Sequence, residues 1–137
     1  MYSSFNFKWI SLRLQVLFYL FAGINHFVNP EFYLPLIPPF FEPADLFNNL
    51  AGVAEIILAI GLAIPSVRQK AKWGIVLMLL AFIPSHIYFI QIGSCVDGGL
   101  CVPMWLGWIR LLLIHPLLIG WVISIPRSKI PSSSNGI

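Results

Sequence analysis

The sequence predicts an all-α fold: a transmembrane four-helix bundle with a proline-rich extracytoplasmic loop between helices 1 and 2. Three observations predict it. Hydrophobic residues make up 58% of the 137 residues and charged residues 9%, against about 25% charged in soluble domains. Four segments approach the ~20 apolar residues that cross a bilayer. The cations are also sorted: Lys8, Arg13, Arg68, Lys70, Lys72, Arg127 and Lys129 flank segment ends that an up-and-down bundle gathers on one side. The other two loops hold Glu31, Glu42, Asp45 and Asp97 and no Lys or Arg. That bias places both termini in the cytoplasm of a cell, best a bacterial plasma or inner membrane.

The first segment, Lys8–Val28, is too long for a signal-peptide core and lacks a small-residue cleavage site, so it is expected to be retained. Gln15, Tyr19, Ala22 and His26 recur at helical spacing and form a stripe, with Arg13 opposite and able to snorkel to headgroups. The loop Asn29–Asp45 follows, with five of the eleven prolines and the aromatics Phe32, Tyr33, Phe40 and Phe41. Proline is expected to exclude regular helix there, leaving an interfacial anchor or a lid over the bundle. In the second segment, Leu46–Ile64, one face carries Asn48, Gly52, Glu55 and Ala59. Small residues on that face admit a close neighbour. The third, Trp73–Ile92, has Gly74, Met78, Ala81 and Ser85 on one face, with His86 beside a kink at Pro84. The fourth is Trp105–Ile125, with Arg110 near its outer end; Trp73, Trp105, Trp108 and Trp121 read as interface belts. The tail from 127 to 137 is short, polar and cytoplasmic.

Glu55 carries most of the functional information. An ionisable group at mid-bilayer costs about 2.5–3.5 kcal/mol on insertion scales, so it is expected to face the bundle interior and mark a site. At 1.5 Å per residue, Glu55 lies ~13 Å and Arg110 ~8 Å below the outer end, within reach of a salt bridge. The expected pocket has Glu55 and Arg110 at its centre, Asn48 on the face of Glu55, Gln15 and Tyr19 below, and His26 and His86 toward the outside. A purely structural Glu–Arg pair is the competing reading. His115, next to Pro116, is assigned to satisfying a freed carbonyl, because an α-helix sets it ~140° from Arg110. No metal site is expected, since no ligand motif occurs. Cys95 and Cys101 lie in the second outer loop, where a structural disulfide, a redox pair and free thiols all remain open. No basic surface suggests nucleic acid, and no haem, phosphate or flavin motif is present.

Four stretches, AGINHFVNPEFYLPLIPPF (Ala22–Phe40), GVAEIILAIGLAIP (Gly52–Pro65), AKWGIVLMLLAFIPSHIYF (Ala71–Phe89) and WIRLLLIHPLLIGW (Trp108–Trp121), resemble the DoxX family of small four-helix membrane proteins. The matching positions are Gly23, His26, Pro30, Glu55, Gly61, Pro84 and Arg110; in helix 4, Leu112 and His115–Pro116 stand where the family often carries a Pro and a Gln. The resemblance implies a DoxX-like domain over 1–126 and membrane redox chemistry, as a subunit of a thiosulfate:quinone oxidoreductase or a partner in thiol and oxidative-stress systems. It implies a quinone as the ligand, membrane or peripheral redox proteins as partners, a homo-oligomer as an option, and at most a subunit of an oxidoreductase rather than an enzyme alone. Two alternatives stand beside it: a non-enzymatic scaffold or assembly factor, and a proton- or solute-conducting bundle.

Overall fold

The computed structural model describes residues 2–127, without the side chains of residues 2–6. Lys129 and the rest of the polar tail beyond Arg127 lie outside the described residues. Four spans are long and apolar enough to cross a membrane: Phe7–Val28, Ala44–Ala63, Arg68–Gln91 and Met104–Ile123. The first belongs to α1 (Tyr2–Val28) and the second is α3 (Ala44–Ala63). Between them lie the one-turn α2 (Pro30–Tyr33) and a 3-10 turn, Leu34–Leu36. The loop is therefore more regular than expected. Pro30 and Pro35 sit in the first turns of these elements, where a missing N–H is not needed.

The third span is broken into α4 (Arg68–Ala81) and α5 (Ile83–Gln91). Pro84 falls in the first turn of α5 and removes a backbone donor there, and the span breaks at Phe82, two residues before the proline. The fourth span has three parts: α6 (Met104–Ile109), a π-helical turn over Arg110–Ile114, and α7 (His115–Ile123). Pro116 accounts for the wide turn. Its ring would clash with the carbonyl four residues back, and an extra residue per turn relieves that contact.

The four spans alternate in direction, so the first turns of the first span, the residues after α7 and the connection Ile64–Val67 gather at one end of the bundle. α1 packs along α3, α3 on α4, and α4 on α7. The α1–α3 contact is the tightest. A Cβ on Gly23 would lie 2.8 Å from the Gly52 carbonyl oxygen, and one on Gly52 would lie 2.8 Å from His26 Cβ. Only glycine lets the two backbones approach this closely. All four residues of the stripe Asn48, Gly52, Glu55 and Ala59 are buried. On α4 the buried face runs through Ala71, Ile75, Met78 and Leu79, and the stripe expected on the third span also faces inward: a Cβ on Gly74 would meet Leu58, while Met78, Ala81 and Ser85 line the cavity between the spans.

Two of the sorted cations, Arg68 and Lys72, are buried; Arg68 donates to carbonyls that the end of α3 leaves free, and Lys72 to a carbonyl just beyond the end of α7. Arg68 Nε donates to Leu62 O at 2.7 Å and Nη2 to Ala63 O at 3.3 Å, while Lys72 Nζ donates to Ile125 O at 3.2 Å. A cation at a helix C-terminus also opposes the negative end of the helix dipole. Trp121 departs from the interface belt as well. Its Nε1 donates to Ser11 Oγ at 2.8 Å, and its carbonyl accepts from Gln15 Nε2 at 3.0 Å, which ties α7 to α1. Trp73, Trp105 and Trp108 remain exposed.

Candidate functional site: a cavity in the loop-side half of the bundle

A cavity of about 670 Å³ opens between the spans, lined by α1, α3, α4, α5, the fourth span and the proline-rich loop. Most of its wall is apolar, with Phe18, Leu36, Ile37, Met78, Phe82 and Leu118 among the lining residues. Tyr19, His26, Asn48 and Glu55 form a polar wall on α1 and α3; Ser85, His86, Arg110 and His115 form another on the third and fourth spans. Such a volume, apolar with a few convergent polar groups, is typical of small-molecule sites.

The α1–α3 wall is built by the glycine contact, which turns Glu55 and Asn48 toward α1. His26 Nδ1 lies 2.7 Å from Asn48 Oδ1, and Asn48 Nδ2 donates to the His26 carbonyl at 3.0 Å. His26 Nε2 faces Glu55 Oε2 at 3.7 Å. Glu55 is 6% exposed, and its Oε2 makes no hydrogen bond. The Tyr19 hydroxyl, also buried without a hydrogen bond, lies within electrostatic reach of Glu55. Both orphaned groups border the cavity. Buried polar atoms normally have partners, so the wall is incomplete as a purely structural network.

The expected Glu55–Arg110 salt bridge is not formed; Glu55 pairs with His26. The reason is rotational. The face of α3 that holds Glu55 is committed to α1 by Gly52, while Arg110 rides on the fourth span. Arg110 is half-buried and lies within electrostatic reach of His86 and Tyr33.

On that second wall, His115 departs from its expected position. Its Nε2 donates to the Leu79 carbonyl at 2.6 Å, at the break before Pro84, so it does serve a carbonyl there. It also lines the cavity, with its ring edge-on to His86 at 4.7 Å between centroids. The π turn is the cause: the His115 N–H donates to the Arg110 carbonyl, so residues five apart lie nearly one above the other.

The loop supplies the roof. Tyr33, Leu36, Ile37 and Phe41 line the cavity. Tyr33 stacks on His26 with centroids 3.7 Å apart, and its hydroxyl accepts from Asn25 Nδ2 at 2.8 Å. Phe40, by contrast, is 73% exposed. The loop thus turns Tyr33, Leu36, Ile37 and Phe41 to the cavity and leaves Phe40 exposed.

Gln15 is outside this cavity. It belongs to a second hollow of about 140 Å³ near the basic end, with Ser11 and Ser124. Tyr33, Ser85 and His115 join the site without having been expected. Pro116 inside a helical segment was the available signal for His115, because it demands a local change of helical repeat. Cys95 and Cys101 are bonded to each other across a small hairpin, whose turn uses Gly98 at φ +74°. Neither cysteine lines the cavity. Among the described residues, no three His, Cys, Asp or Glu side chains lie close enough to hold a metal ion.

No curated protein and no solved structure matches the chain. A family described as a domain of unknown function, DUF8561, matches residues 15–126, which take in most of the first span, the other three spans and both walls of the cavity. The chain belongs to this family of unknown function, DUF8561.

Proposed function

We propose that the protein is a multi-pass subunit of the cell membrane, with both termini cytoplasmic, that binds a small amphipathic molecule with a quinone-like head. The observation that carries this reading is the pairing of an apolar cavity of about 670 Å³ with two orphaned buried groups, Glu55 and Tyr19. An apolar tail suits the lining. A ring bearing two oxygens suits two polar walls on different spans, with Arg110 able to donate to one oxygen and the Glu55 wall to the other. The resemblance to DoxX-like proteins supports a redox setting, in which partner proteins supply or remove electrons. The chain itself would bind and orient the ligand and position its protons.

The cavity is better supported than the small-residue faces that suggested a scaffold. Those faces are occupied within the chain: Gly23 against Gly52, Gly61 against Ala71 and Gly74 against Leu58.

The test is binding of a short-tail ubiquinone to the protein in nanodiscs, with empty nanodiscs as the partition control. Saturable binding that is weakened by Arg110→Leu supports the reading. Uptake that never exceeds the empty-disc control contradicts it.

A further inference from the structure

The Asn48 amide decides where the hydrogens of His26 are. Its nitrogen donates to the His26 carbonyl at 3.0 Å, so exchanging nitrogen and oxygen would set two acceptors against each other. The oxygen therefore faces the ring, and Nδ1, 2.7 Å away, must carry a hydrogen. In a neutral ring that leaves Nε2 as a lone pair, and Nε2 is the atom facing Glu55 Oε2 at 3.7 Å. A carboxylate oxygen is also only an acceptor. Two acceptors would then confront each other beside a buried Oε2 that has no other hydrogen bond.

One added proton removes the conflict, whether Glu55 holds it as a carboxylic acid or His26 as an imidazolium. We infer that Glu55 and His26 share a single proton at the cavity wall, locked in place by Asn48 and available to an oxygen of the cavity's occupant. The groups around the pair fit this. Tyr33 stacks on the far side of the His26 ring and Tyr19 lies beside Glu55. Among the described residues, the ion pair that Glu55 makes is with His26.

The pair is neutral as a unit. In the transfer step the proton leaves Glu55 Oε2 or His26 Nε2, an O–H bond forms on the ligand's oxyanion, and the pair is left with one negative charge. No electrons move in this step. That the receiving oxygen belongs to a quinone or quinol rests on the proposed function; the shared proton does not.

Two measurements on the ligand-free protein in nanodiscs test it. The first is 15N NMR of histidine-labelled protein, with His26 assigned by its loss in His26→Gln. The second is the infrared carboxylic-acid C=O band, assigned by its loss in Glu55→Gln. The expected result is a protonated Nδ1 together with either a Glu55 acid band or a doubly protonated His26 ring. A neutral His26 beside an ionised Glu55, in either tautomer, would overturn the inference. If His26→Gln fails to fold, His86→Gln and His115→Gln assign the His26 signals by elimination, since the chain has three histidines. Adding short-tail ubiquinone separates the two readings. A lowered ubiquinone C=O stretch that recovers in Glu55→Ala supports both. No binding, in a protein that shows the shared proton, contradicts the quinone reading and leaves the inference supported.

Discussion

The His115 N–H donates to the carbonyl of Arg110, five residues earlier, and this π-helical bond brings two side chains of the fourth span to one cavity. An α-helix would hold them ~140° apart. The wide turn sits immediately before Pro116, whose ring opposes ordinary helical geometry there. Replacing Pro116 with Ala removes that opposition. We expect Pro116→Ala to fold with unchanged or slightly higher thermal stability in detergent, yet to bind short-tail ubiquinone about tenfold more weakly, near 1.4 kcal/mol. Parallel melting and titration curves check this, and equal affinity would disconnect the turn from the site.

Gly23 is the position where added volume should do the most harm. Its nearest obstacle is the Gly52 backbone oxygen, which cannot rotate away, so Gly23→Ala must push α1 and α3 apart. Overpacking of this kind typically costs about 1–3 kcal/mol. Gly120→Ala is the control, since a Cβ there meets nothing within 4 Å. A lower melting temperature is expected for the first and not for the second.

Much of this wall could be read from the sequence, and the reasons are specific. Asn48, Gly52, Glu55 and Ala59 recur at helical spacing in an otherwise apolar run, and that pattern survives folding because α3 is a regular helix throughout. The same logic failed on the fourth span, where the helical repeat changes at Arg110, and no count at 100° per residue could put His115 beside it. It also failed for Glu55 and Arg110. Residue counts along two helices carry no information on their rotation, because the choice of neighbour depends on which glycines meet. The charge sorting was legible as a sum. That Arg68 and Lys72 cap helix ends inside the bundle depends on where α3 and α7 stop.

Arg68 gives a direct measure of that capping. Replacing it with Met keeps most of the apolar stem and deletes two hydrogen bonds to the end of α3. Hydrogen bonds involving a charged group are worth about 1.5–3 kcal/mol. Arg68→Met should therefore lower the melting temperature clearly, while exposed Lys70→Met should not.

The hairpin cysteines should be separable from the cavity. Both are exposed and bonded to each other, so native protein is expected to take up no maleimide, and protein treated with a phosphine reductant two. Ubiquinone affinity should be unchanged by the reduction, because neither residue borders the cavity. With a membrane-impermeant reagent on intact cells, labelling after reduction would support the orientation with the hairpin outside. Labelling only in inverted vesicles would reverse it.

Glu55 remains the residue on which the account turns. The most direct measurement is a titration of the purified protein in nanodiscs with short-tail ubiquinone, run alongside Glu55→Gln and empty nanodiscs. The account predicts saturable binding of one molecule per chain, weakened in Glu55→Gln while the fold and melting temperature are kept. Uptake indistinguishable from empty nanodiscs, or saturable binding that Glu55→Gln leaves untouched, would contradict it.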